Sequence, residues 1–75
     1  MNTLENEFEY SRKALSRNLK RIRKEKSLSQ EKLALNAGVD RTVVSKIERE
    51  ASNPSFEILI RLAFCLEVNV HSLFD

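Results

Sequence analysis

Apolar side chains recur at helical intervals along most of the chain. Phe8, Leu15, Leu19 and Ile22 share one face of a 3.6-residue period, with the basic residues mostly on other faces. This predicts an amphipathic first helix from about residue 7 to 26, ending around Ser27. The first seven residues, polar apart from Met1 and Leu4, read as a frayed end. Ser29 can accept a hydrogen bond from an unpaired amide and so cap a short second helix, whose buried side is marked by Leu33, Ala34 and Ala37. Gly38 stops that helix by taking the left-handed conformation without a side-chain penalty. Val39 then turns inward, and Asp40 caps a third helix over about 41–49 with Val44 and Ile47 facing the core.

Residues 50–55 read as a loop, in which Asn53-Pro54-Ser55 is a turn leading to a fourth helix over about 56–66 with Ser55 as its cap. That helix is unusual. Phe56, Ile58, Leu59, Ile60, Leu62, Ala63, Phe64, Cys65 and Leu66 wrap most of its circumference, whereas a helix on the surface of a monomer keeps a single apolar stripe. The surplus apolar face needs a cover, and a second copy of the chain is the simplest one. Asn69 can cap a last short helix, Val70 to Phe74, which adds to the same surface. The expected dimer interface within residues 56–75 comprises Ile60, Phe64, Val70, His71, Leu73 and Phe74.

Composition agrees with an all-α chain, because one glycine and one proline leave little turn chemistry for a sheet of several strands. Seventy-five residues with no repeat or linker make a single domain over 1–75. So short a chain buries a modest core, and association is a natural source of further stability. The net charge of +2 hides an uneven distribution. Arg12, Lys13, Arg17, Lys20, Arg21, Arg23, Lys24 and Lys26 stand against Glu25 alone between residues 11 and 26. Such a patch suits a polyanion or, equally, a solvated helix face.

One cysteine, Cys65, excludes an internal disulfide, and no stretch resembles a signal peptide or a membrane span. A soluble protein of the bacterial cytoplasm or nucleoid is expected. A single His71, no glycine-rich phosphate loop and no metal-ligand cluster argue against an enzyme, and neither metal, cofactor nor small-molecule ligand is implied. Cys65 reads as a small buried hydrophobe and His71 as a surface or interface residue.

The segment Gln30 to Arg49 is more specific. Two short helices joined at Gly38, with Ala34, Val39, Val44 and Ile47 inward, match what a helix-turn-helix requires. Ala34 has to be small because the two helices cross beside it. The second helix then projects with its polar face free to enter a DNA major groove. Arg41, Thr42, Ser45 and Lys46 share that face, opposite Val44 and Ile47. Arginine and lysine can bond the acceptor edge of guanine, and a threonine methyl can touch that of thymine. The plainer alternative is an exposed, solvated helix end.

The stretch LSQEKLALNAGVDRTVVSKIERE, residues 28–50, resembles the core motif of the XRE family, which includes the lambda-type repressors and Cro proteins. NPSFEILIRLAFCLEVNVHSLF, residues 53–74, resembles the usual continuation of that domain. The likeness runs from about Leu15 to Phe74 and implies a five-helix, lambda-repressor-like DNA-binding domain acting on double-stranded DNA. It further implies that Gln30 bonds a backbone phosphate and braces Arg41, that Arg41, Thr42 and Lys46 read bases, and that Ser45 adds a contact to base or phosphate. Arg49 and Asn53 fall where phosphate-binding groups sit. Arg23 and Glu48 match a partly buried salt bridge tying the first helix to the third, with the outer edge of Arg23 open to phosphate.

Many family members carry glycine where this chain has Glu50 and Glu67. Glu50 places an acid near the expected DNA surface. Glu67 before Val68 and the Asp40-Arg41-Thr42 start of the recognition helix are most similar to the small controller proteins of restriction–modification systems. That likeness implies a homodimer on a near-palindromic operator, autoregulating by occupancy. The alternatives are a phage or chromosomal repressor of the Cro type, or an antitoxin-like module whose apolar C-terminal surface masks another protein.

Overall fold

The computed structural model describes residues 3–75, which form four α-helices and a terminal 3-10 turn. The first helix, α1, spans Leu4–Glu25 and begins well before the expected residue 7. Thr3 adopts an extended conformation and its hydroxyl accepts from the Asn6 amide at 3.1 Å, while Glu5 and Glu7 oppose the positive end of the helix dipole. The predicted frayed end is thus capped helix from Thr3 onward, and its first two residues lie outside the described part. Phe8, expected on the inward stripe, is 49% exposed, because α1 overhangs the body of the domain there.

The three following helices lie where the pattern placed them. Helix α2 (Gln30–Ala37) is capped by the Ser29 hydroxyl and closed by Gly38 at φ 71°. Helix α3 (Arg41–Glu48) is capped by Asp40, and α4 (Phe56–Leu66) by Ser55. Each side-chain cap contributes about 1 kcal/mol by satisfying an amide that has no helical partner. The C-terminal Val70–Phe74 segment is a 3-10 turn, and the Asn69 side chain makes no capping bond. The turn is held instead by the buried Asn18 on α1, whose Nδ2 donates to the carbonyls of Leu73 and Asp75 at 3.2 and 2.9 Å.

Leu15, Leu19 and Ile22 of α1 meet Leu33, Ala34 and Ala37 of α2, Val44 and Ile47 of α3, Leu62, Ala63 and Leu66 of α4, and Leu73 in one core. Ala34 is 2% exposed between α2 and α3, so a larger side chain there would force the helix pair apart. Ser16 donates to the Glu48 carbonyl at 2.7 Å, tying the end of α3 to α1.

The departures from glycine noted above have a backbone consequence. Glu50 and Glu67 sit at φ 61° and 60°, each just past a helix, and Ser27 at φ 57°. Around Glu50 the amides of residues 50 and 51 bond back to Ile47 and Lys46, and around Glu67 those of 67 and 68 bond back to Phe64 and Ala63. These are left-handed helix terminations, a conformation glycine takes without strain and a glutamate does not.

Candidate nucleic-acid interface

Helix α3 is two-faced. Val44 and Ile47 are buried to within 2% against the core, while Arg41, Thr42 and Lys46 are exposed on the opposite side. Asp40 fixes the start of this face, accepting from both the amide and the hydroxyl of Thr42 at 3.1 Å. Those two bonds hold the Asp40 carboxyl below the usual carboxylate range. Because the Thr42 hydroxyl proton is engaged, Thr42 offers its methyl and oxygen lone pairs outward. Ser45 is half-buried, and its hydroxyl accepts from Arg49 Nε at 3.3 Å, so Ser45 orients the exposed Arg49 at the helix C-terminus. Thr42, Val43 and Lys46 face Ser52, Asn53, Pro54, Ser55 and Ile58 across a cleft of about 240 Å³, which joins the recognition helix to the following loop.

Arg23 and Gln30 form a separate cluster around Glu48. Arg23 donates to both Glu48 oxygens, from Nε at 2.7 Å and Nη2 at 2.9 Å, and from Nη1 to the Leu28 carbonyl at 2.8 Å. With 8% of its surface exposed, Arg23 is an internal tie, and the expected outer edge toward phosphate is not offered. Gln30 Nε2 donates to Glu48 Oε1 at 3.1 Å, so Gln30 braces Glu48 and not Arg41. Burial alone would raise the Glu48 carboxyl, but hydrogen bonds from Arg23 and Gln30, with the charges of Arg23 and Lys20, outweigh it and hold the group low. Arg23 is raised in turn, chiefly by its bond to Glu48 and against the effect of burial.

The apolar surface at the other end also differs in detail from expectation. Phe64 is 81% exposed, and Ile60 and Phe74 are partly so. Val70 is half-buried and His71 exposed. Leu73 is fully enclosed in the chain's own core and has no surface to present to a partner. Phe56, one helical turn before Ile60, is exposed and extends the stripe. Sequence reasoning placed Phe56 on the apolar helix but outside the interface. It also missed Ser16 and Asn18, although both flank Leu15 and Leu19 on the inward side of α1, a usable signal.

An exposed α3 carrying Arg41 and Lys46, set by a short turn over α2, defines a helix-turn-helix domain. The helix-turn-helix family model HTH_3 matches residues 19–71, and the chain belongs to this family. It is 40% identical over 62 residues to the HTH-type transcriptional regulator SinR of Bacillus subtilis (strain 168), a match that covers 81% of this chain and 56% of SinR. The chain thus spans about half the length of the curated relatives it matches. The restriction–modification controller protein C.AhdI from Aeromonas hydrophila superposes with a TM-score of 0.80 at 35% identity, covering 84% of this chain and 96% of C.AhdI. SinR, the master regulator for biofilm formation, in complex with DNA, superposes with a TM-score of 0.78 at 40% identity, over 81% of this chain and 98% of that one. Among the described residues no helix is long and apolar enough to cross a membrane.

Proposed function

We propose that the chain acts as a homodimer on an approximately palindromic operator at its own promoter, as the controller protein of a restriction–modification system. The carrying observation is the division of α3, with Arg41, Thr42 and Lys46 exposed and Val44 and Ile47 fixed in the core. Arg41, Thr42 and Lys46 read base edges in the major groove, and Ser45 supports them through Arg49. Arg49 and Asn53 bond backbone phosphates, joined by Gln30 through the amide hydrogen it does not give to Glu48. A dimer is supported by the Phe56, Ile60 and Phe64 stripe of α4, too large an apolar surface to face water in so small a domain. The controller role is supported by the likeness to C.AhdI over nearly its whole length. A phage or chromosomal repressor would use the same surfaces. The cytoplasm or nucleoid follows from that role.

A gel-shift titration against DNA from immediately upstream of the gene, with an unrelated fragment as competitor, tests this. Selective binding in dimer-sized steps, weakening steeply with salt, is expected. One step supports a simple repressor, two steps the controller, and equal binding to both fragments sinks the autoregulatory reading.

A further inference from the structure

Arg12 lies on α1 upstream of residues 19–71, the segment the family model matches, yet it reaches the loop between α3 and α4. Its Nη1 donates to Asn53 Oδ1 at 3.0 Å, across 41 positions of sequence. Its guanidinium carbon lies 6.0 Å from the centroid of the Phe8 ring, within cation–π range. Phe8 in turn lines an apolar hollow with Leu15, Pro54, Leu59 and Phe74. The start of α1 thus places Arg12 against both Phe8 and Asn53.

A guanidinium carries only donors, so the Asn53 amide must turn its oxygen toward Arg12. The NH2 group then stands on the other side of the amide, on an exposed residue, with its donors available. Asn53 lines both the polar cleft it shares with Arg12 and Glu50 and the cleft it shares with Thr42 and Lys46. A freely rotating amide must give up its rotational freedom to aim nitrogen rather than oxygen at an anion in either cleft, and an anchor on the oxygen removes that cost.

We propose that Arg12 is a positioning residue for DNA binding, fixing the Asn53 amide so that Nδ2 donates to a backbone phosphate. This rests on the assignment of Asn53 to phosphate above. Its positive charge also offsets Glu50, the acid that lines the same cleft.

The test uses a short duplex of unrelated sequence, since phosphate contacts do not depend on bases, and follows binding against salt. The proteins are the wild type, Arg12→Met, Asn53→Ala, the double variant, and Lys13→Met, which measures the loss of one charge nearby. Thermal melting confirms that each is folded. Asn53→Ala is expected to weaken binding about ten- to a hundredfold, the effect of one hydrogen bond to a charged group, and Arg12→Met by less, because the amide keeps its donors and loses only their alignment. The double variant should be no weaker than Asn53→Ala, because without the amide Arg12 has nothing to align. Arg12→Lys, which keeps the charge but holds the amide with a flexible donor, should fall between wild type and Arg12→Met. A salt slope for Arg12→Met lower than that of Lys13→Met by about 0.9, with additive losses, would mean Arg12 grips phosphate itself and overturns the positioning role. Loss no greater than for Lys13→Met, with Asn53→Ala still weakened, also overturns it and leaves the Asn53 assignment standing. A normal Asn53→Ala protein removes that assignment and the proposal together.

Discussion

The Arg23 guanidinium grips the Glu48 carboxylate through parallel hydrogen bonds of 2.7 and 2.9 Å, with the two side chains 10% and 3% exposed. The pair joins α1 to the end of α3. Gln30 adds a third bond from α2, making Glu48 the point where three helices are tied.

Removing one member leaves the other charge buried without a partner. Glu48→Ala is expected to cost about 3–5 kcal/mol, read by denaturant unfolding, while replacing Arg23 and Glu48 together by apolar residues of similar volume should recover most of it. A double replacement as unstable as the single one would show that packing, not the unpaired charge, sets the loss.

The same pair gives an acid limb. The folded Glu48 carboxyl is held below its ordinary value of 4.5, and Asp40 below 3.8. A depressed folded pKa contributes stability that is full above the unfolded value and lost as pH falls through the folded one. Stability should therefore be level near neutrality and fall below about pH 4.5, with Glu48→Gln flattening part of that fall. Thermal melting across the acid range checks this, and an unchanged limb in Glu48→Gln would contradict it.

Arg41→Ala should relax base preference, narrowing the ratio between specific and unrelated DNA by about 1–3 kcal/mol. Asn53→Ala should weaken both more evenly. Competition binding separates the two, and the reverse pattern would undo the division between base-reading and phosphate-binding residues.

Glu50 and Glu67 occupy left-handed backbone. Replacing either by glycine relieves strain but frees the unfolded chain, for a net gain of about 0.5–1 kcal/mol. Glu50→Gly should also tighten DNA binding, because it removes an acid from the cleft beside Asn53, and Glu67→Gly should not. Melting and DNA titration of the two variants give the comparison.

Phe64 is 81% exposed, so Phe64→Glu should leave the fold of each chain intact while removing apolar surface from α4. On the proposed homodimer, sedimentation is expected to show the wild type as a dimer and the variant as a monomer at the same concentration. A variant that stays dimeric would place the interface elsewhere.

Much of this protein is written in local chemistry. The caps Ser29, Asp40 and Ser55, the stop at Gly38, and the inward positions of Leu33, Val44, Ile47 and Leu62 follow from spacing and hydrogen-bonding capacity within a few residues, and they appear where the pattern puts them. The outward face of α3 follows as well, since a helix with two core residues on one side must show Arg41, Thr42 and Lys46 on the other. Contacts between residues far apart in sequence were decided by packing. Arg23 looks free to meet phosphate until the folded chain brings Glu48 to it, and Gln30 gives one of its amide hydrogens to the same carboxylate. Leu73 reads as spare apolar surface until the last turn closes on the core. Arg12 is one charge in a basic run until α1, longer than its hydrophobic period suggests, lays it against Asn53. In each case the sequence set which groups a residue carries, and the tertiary structure chose its partner, because hydrogen bonds and burial depend on distances that no spacing along the chain encodes.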